Sequence, residues 1–237
     1  MAGPLPEQRV TNPALLMRWE RLTFLHWSYP PDVVQALLPD GLRVDTWEGR
    51  AWVAITPFMM AGVHPPGLPA IPQWSTFPET NVRTYVRAAG GSDGLWFLSL
   101  DAARAATLNA RATIGVPYVW SRMRVEQHDQ RIHYSSRRIG SPAHNDVQID
   151  IGDPIPAQEL TSADHFLTGR WRAFSRRAGR TFVTPVEHPP WPLHRATVAH
   201  LDSSLIRAAG LPAPSGDPVV HYSPGVDVRM GMSRPLR

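Results

Sequence analysis

All 24 basic residues of this 237-residue chain are arginine, it contains neither lysine nor cysteine, and its 20 acidic residues leave a formal net charge of +4. Those counts exclude imine chemistry on a lysine side chain, disulfides, thiolate metal sites and cysteine nucleophiles. A hydrophobic share of 43% with 19% charged residues fits a folded, soluble chain able to bury a proper core. One domain over residues 1–237 is expected, with 1–16 as a mobile tail. The opening residues lack a basic start followed by an apolar core, which suits a cytoplasmic protein. The wholesale use of arginine is what a GC-rich genome produces, although individual guanidinium groups remain suited to carboxylate recognition.

In chain order, Pro30-Pro31 introduces a short helix over Asp32–Leu38. Leu42–Trp47 and Ala51–Met60 are strand-like and meet at Glu48-Gly49, a tight hairpin. The longest apolar stretch, Ala51–Val63, is broken by Thr56, Pro57 and Gly62 and is too short to span a bilayer. Ala61–Pro78 is proline-rich and aperiodic, and reads as a lid or rim loop. Glu79–Ala88 and Leu95–Leu100 form a second hairpin around Gly90–Gly94. Asp101 is placed to cap a helix from Ala102 to about Thr113, stopped by Gly115 and Pro117. Tyr118–Glu126 and Arg131–Arg138 alternate around His128-Asp129-Gln130 as a third hairpin. A further strand, a short helix near Ala163–Thr168 and more strands follow. The pattern predicts an α+β fold, mostly antiparallel, with a curled or closed sheet.

Glu79–Val86 carries the densest chemical signal. Alternate strand residues share a face, so Thr80, Val82, Thr84 and Val86 form one stiff, packing face. Glu79, Asn81, Arg83 and Tyr85 form the other. Glu79 and Arg83 are on the order of 13 Å apart along the strand; they do not readily pair, yet both can reach a small ligand held over Asn81. The plainer reading, favoured by the pattern alone, is an exposed polar face on a half-buried strand. Arg111, near the end of its helix, is accounted for by the helix dipole. Tyr118, heading a strand after a glycine–proline turn, reads by itself as a core or rim tyrosine.

The strings PETNVRTYV, GLWFLSLDA, GVPYVWSRM, FLTGRW and EHPPWPL, in order between about Trp19 and Val228, resemble signature stretches of the YqjF-like family. That family resembles the acetoacetate decarboxylase superfamily. The resemblance implies a large, curved, cone-like antiparallel barrel with helices outside and a central pocket. Decarboxylases of the superfamily carry an arginine, a glycine four residues on, a proline at six and the imine-forming lysine at seven. Arg111, Gly115, Pro117 and Tyr118 keep that spacing, with tyrosine in place of the lysine. The activating lysine corresponds to Val119 and the glutamate after the arginine to Ala112, while the glutamate of the preceding inward strand has a counterpart in Glu79. Decarboxylation through an imine is therefore excluded.

What remains suits non-covalent chemistry on a small oxo-compound: enolisation, dehydration, cyclisation or hydrolysis. Glu79 would be the acid or base, Tyr118 a neutral hydrogen-bond donor, and Arg111 or Arg83 a carboxylate clamp, with Asn81 and Tyr85 beside the ligand. The alternative is a non-catalytic small-molecule binding or regulatory protein that kept the pocket. No cofactor and no metal is expected, because the histidines lack helical ligand spacing and His188–His194 is proline-bound. His221, on a late strand, could approach the pocket rim. Arg170, Arg172, Arg176, Arg177 and Arg180 cluster, but interleaved aromatics and the modest charge argue against nucleic acid. No membrane partner is expected; relatives on this scaffold often form homo-oligomers, and no stripe marks an interface here.

Overall fold

The computed structural model describes residues 5–103 and 115–236. The elements run β1 (Leu15–Tyr29), α1 (Pro31–Gln35), β2 (Leu42–Val44), β3 (Thr46–Trp47), β4 (Arg50–His64), β5 (Phe77–Ala88), β6 (Asp93–Ala102) and β7 (Tyr118–His128). After these come β8 (Arg131–Arg138), β9 (His144–Pro154), α2 (Ser162–Thr168), β10 (Arg172–Arg177), β11 (Arg180–Glu187), β12 (His194–Ser203), α3 (Leu205–Ala208), β13 (Val219–Met230) and β14 (Arg234–Pro235).

The strands join one 14-stranded sheet, antiparallel throughout except where β6 lies parallel to β7 and to β10. Two-residue turns set the hairpins: Glu48-Gly49 and Ala178-Gly179 each place both residues at positive φ, the turn whose twist matches the flanking strands.

The sheet closes on itself twice. One ring runs β6-β7-β8-β9-β12-β13-β1-β4-β5 and returns to β6. A smaller ring uses β13-β1-β4-β5-β6 again and closes through β10 and β11. The shared strands are thus sandwiched between two cores. On β1, Leu25, Trp27 and Tyr29 pack into the larger ring with Ile55, Val82, Ile132, Tyr134, Val147 and Ile149. Leu22 and Phe24 face the smaller ring with Phe58, Val186, Trp191 and Val226. Near-continuous burial of β5, and of β1 from Leu22 to Tyr29, follows.

Several expectations shift. The loop after β4 is shorter than expected, because β4 runs through His64 and β5 starts at Phe77; it is confined to Pro65–Thr76. Asp101 lies within β6, and its carboxylate accepts bonds from Arg138 and Ser121. The expected helix beyond it lies outside the described residues. Residues of the expected tail make contacts: the Val10 amide donates to Glu187, Arg229 donates to the Val10 carbonyl, and Arg172 pairs with Glu7. Among the described residues no helix is long and apolar enough to cross a membrane.

Candidate functional site

The polar face of β5 is buried, which corrects the exposed-face reading. Glu79, Asn81, Arg83 and Tyr85 retain 3%, 4%, 7% and 0% of their accessible surface. The reason is the double closure: this face looks into the smaller ring while Val82 looks into the larger one. Register places Phe58, Thr56 and Ala54 of β4 opposite Glu79, Asn81 and Arg83; directly paired residues share a face.

Tyr118, at the head of β7, pairs with Leu100, which in turn pairs with Asn81. That register carries its ring to the Glu79 side, and its hydroxyl donates to Glu79 Oε2 at 3.1 Å. Burial raises the Glu79 carboxyl from its ordinary 4.5 to about 7; bonds from Tyr118 and Asn81 pull it down in part, and the Asp101 charge pushes it up. Burial, then the Glu79 charge, holds the Tyr118 phenol well above its usual range, so it is a neutral donor near neutral pH. The result is a buried carboxyl poised between its two protonation states, with a phenol against one oxygen. Gly115 permits this placement. It has φ of 76°, and an added Cβ would stand 2.6 Å from the Arg176 carbonyl oxygen, so the chain entering β7 lies against β10 where no other residue fits.

Further along the same face the groups change character. Arg83 lies over the Phe24 ring at 5.1 Å, and its Nε has no hydrogen-bond partner. Among the described residues no carboxylate pairs with it, Glu79 included. Burial lowers its pKa, opposed by the neighbouring Tyr85. His26 of β1 and Tyr85 meet at 2.7 Å, and the Tyr85 hydroxyl donates to the Leu167 carbonyl at 2.6 Å. Trp191 Nε1 donates to the Thr168 carbonyl at 3.1 Å. Both carbonyls belong to the last turn of α2, where helix carbonyls lack partners inside the helix, so the end of α2 orients the Tyr85 and Trp191 side chains.

His188 packs on Trp171 and Trp191 with centroids 4.6 and 4.7 Å away. Burial, and to a lesser extent Arg83, lowers it to about 4, against an opposing bond to the Pro189 carbonyl. His221 is buried and donates from Nε2 to Asp164 Oδ1 at 3.0 Å. The other oxygen of Asp164 completes the capping box of α2 with Thr161.

Of the residues singled out from sequence, the fold brings Glu79, Asn81 and Tyr118 together and sets Arg83 and Tyr85 further along the same buried face. Arg111 lies outside the described residues. Sequence reasoning missed His26 and Phe24, whose alternation in LTFLHW marks one face of a strand, and it underused His188. The arginine cluster is dispersed: Arg170 is buried against Asp93 and Asp45 at 2.9 and 3.2 Å and stacks over Phe166 at 4.3 Å. Among the described residues no group of three or more His, Asp or Glu side chains could hold a metal. A cleft of about 1000 Å³ lies at the ends of β1 and β13, lined in part by Met17, Arg18, Val228 and His188.

The doubly closed sheet defines the acetoacetate decarboxylase-like fold. An acetoacetate decarboxylase-like enzyme from Sphingomonas wittichii RW1 superposes with a TM-score of 0.66 at 13% identity, over 98% of this chain and 96% of that one. The acetoacetate decarboxylase of Legionella pneumophila gives 0.65 at 14% identity, over 99% and 92%. The enduracididine biosynthesis enzyme MppR, complexed with the condensation product of pyruvate and imidazole 4-carboxaldehyde, gives 0.67 at 12% identity, over 99% and 97%. The chain itself belongs to the DUF2071 family, described as an uncharacterized conserved protein, which it matches over residues 16–227. The uncharacterized protein YqjF of Bacillus subtilis (strain 168) is 34% identical over 213 residues, covering 89% of this chain and 87% of that protein.

Proposed function

We propose that this protein is an enzyme of small-molecule metabolism that acts non-covalently on a small oxo-compound, with Glu79 as acid and base and Tyr118 as the donor to the oxo oxygen. The observation that carries the reading is the bond from Tyr118 to a buried carboxyl whose pKa lies at about 7. Such a carboxyl is a competent base and, once protonated, a competent acid at the same pH. By resemblance, Tyr118 occupies the position of the imine-forming lysine. In the simplest cycle Glu79 takes a proton from carbon next to the carbonyl, and the electron pair moves to oxygen. Once Glu79 is protonated, Tyr118 turns its single proton from Glu79 to that enolate oxygen and holds it by a hydrogen bond, and Glu79 returns its proton to carbon or to a leaving group. Enolisation is the first step of each carbon-based reaction in the class, and MppR, a structural neighbour, is itself described in complex with pyruvate.

A non-catalytic binder would be expected to lock the glutamate in a salt bridge, and among the described residues Glu79 has none, which favours the enzyme. The test is exchange of α-hydrogens of small oxo-acids and ketones into deuterated water, followed by proton NMR. Exchange with the wild type that drops at least about 100-fold in Glu79→Gln, and falls in Tyr118→Phe, supports the reading. Equal exchange by wild type and Glu79→Gln, or no exchange with any compound tried, removes it.

A further inference from the structure

The joint that carries Tyr118 is short. β6 and β7 meet only over Leu100–Ala102 and Tyr118–Trp120, whereas β7 pairs with β8 along Ser121–His128. The β6–β7 pairing is parallel, the arrangement that is slightly less stable per residue. Yet this stretch of β6 is the ruler for the site. Leu100 pairs with Asn81 on one edge and Tyr118 on the other, and Ala102 pairs with Glu79 and Trp120 in the same way. A slip of β7 by one residue would turn Tyr118 to the opposite face and present Val119 in its place.

Beside this joint lies a buried network that crosses three strands. Arg138 of β8 shares a face with Ile132 and Tyr134 of the larger core. Its Nε donates to Asp101 Oδ2 at 2.9 Å and its Nη2 to Asp101 Oδ1 at 2.7 Å. Nη2 also donates to Ser99 Oγ at 2.8 Å, and Ser121 Oγ donates to Asp101 Oδ2 at 2.9 Å. The Asp101 side chain is fully buried and that of Arg138 nearly so. Such a pair adds little net stability over apolar side chains of similar volume, so stability does not account for it. What a two-pronged, charge-assisted pair does supply is fixed geometry. One carboxylate here ties β6 to β7 through Ser121 and to β8 through Arg138.

We infer that Arg138 and Asp101 are positioning residues for the Glu79–Tyr118 pair: with Ser121, their ion pair fixes β7 on β6 in the register that turns Tyr118 toward Glu79. They act through Tyr118 and not on a substrate. Because the Asp101 charge also pushes the Glu79 carboxyl up, the network reaches both members of the pair. The assignment deepens the functional reading above, and rests on it only for what the pair does to a bound molecule.

The test is an NMR titration of the full chain labelled with ¹³Cζ-tyrosine, in which Tyr118 is one of five tyrosines and is assigned by its loss in Tyr118→Phe. In the wild type its resonance should follow the Glu79 carboxyl, with a midpoint of about 7. The double variant Asp101→Val/Arg138→Met leaves no buried charge of the pair unmatched, so its urea midpoint should stay close to that of the wild type. Its Tyr118 resonance should nonetheless no longer move between about pH 5 and 9. Ile149→Ala lowers stability through the larger core and takes no part in the network, so it should keep the Tyr118 titration. A wild-type Tyr118 titration in the double variant, its loss in Ile149→Ala, or a wild-type resonance that ignores Glu79 would each overturn the assignment. If the double variant does not fold, Ser121→Ala decides, since it removes only the bond from β7 to Asp101: its Tyr118 titration must shrink, and an undiminished amplitude overturns the proposal. Loss of the titration in the double variant, beside a wild type that exchanges no α-hydrogen, would remove the acid–base reading and leave the positioning role standing.

Discussion

Glu79 shows how burial and hydrogen bonding divide the control of one carboxyl. Burial raises it to about 7 while Tyr118 and Asn81 restrain the rise. Removing the phenol in Tyr118→Phe takes away a donor that favours the carboxylate, so the Glu79 titration should move above 7. Infrared difference spectra of the carboxyl C=O band across pH, with Glu79→Gln as the blank, read this directly; a midpoint unmoved in Tyr118→Phe would refute it. The same displacement makes Glu79 a liability for folding. Between 4.5 and about 7 the folded chain keeps a proton that the unfolded chain has released. Its contribution to stability is therefore full below 4.5, declines as pH rises, and levels off above about 7. The loss is about 3 kcal/mol. Glu79→Gln, which cannot ionise, should match wild type in acid and exceed it by up to that amount above pH ~8, as read by urea unfolding at a series of pH values.

Among the elements, β5 owes its chemistry to what surrounds it. Its alternation was legible from PETNVRTYV, and the hairpins at Glu48-Gly49 and His128–Gln130 were legible from turn residues. That the polar face would be buried was not, because a period of two says which residues share a face and not what covers it. Burial of both faces comes from ring closure through β10 and β11, contacts far apart in sequence. The partners of Asp101 were hidden for a similar reason: Arg138 and Ser121 arrive from other strands, and no local pattern announces them. His26 and His188 were hidden because a lone histidine carries no periodic signal.

Two substitutions test how elements hold the site. Arg170 ties Asp45, next to β2, and Asp93 of β6 to the end of α2, and it stacks over Tyr85 at 5.0 Å. Arg170→Met would leave Asp45 to Arg87 at 3.2 Å and Asp93 to Arg172 at 3.7 Å, and should cost about 2–3 kcal/mol in chemical denaturation because the most buried cation of the group is gone; a cost under about 1 kcal/mol would show its pairs to be dispensable. Gly115→Ala, which pushes a Cβ into the Arg176 carbonyl, should cost about 2 kcal/mol or more. It should also draw Tyr118 off Glu79, raising the carboxyl titration as Tyr118→Phe does. Gly140 supplies the control, since it too has positive φ but meets nothing within 4 Å, so Gly140→Ala should lower stability without moving Glu79.

At the scale of the whole molecule, the two rings are not independent bodies, because β13-β1-β4-β5-β6 is wall to both. Opening the larger ring exposes one face of strands whose other face lines the smaller ring and carries Glu79, Asn81 and Arg83. The expected consequence is a single cooperative unfolding transition. Ile149 is fully buried in the larger core on β9, a strand absent from the smaller ring. Ile149→Ala should remove about 2–5 kcal/mol through the cavity it leaves. The tryptophans of the smaller ring, Trp171 and Trp191, report the other side when their resonances are resolved among the nine tryptophans by ¹⁹F labelling. With coupled cores, those two native resonances in Ile149→Ala should be lost at the same lowered denaturant midpoint as the far-ultraviolet dichroism. A midpoint for Trp171 and Trp191 that stayed at the wild-type value while the dichroism moved would mean that the smaller ring holds its site without the larger one. The shared strands would then carry two separable folding units rather than one.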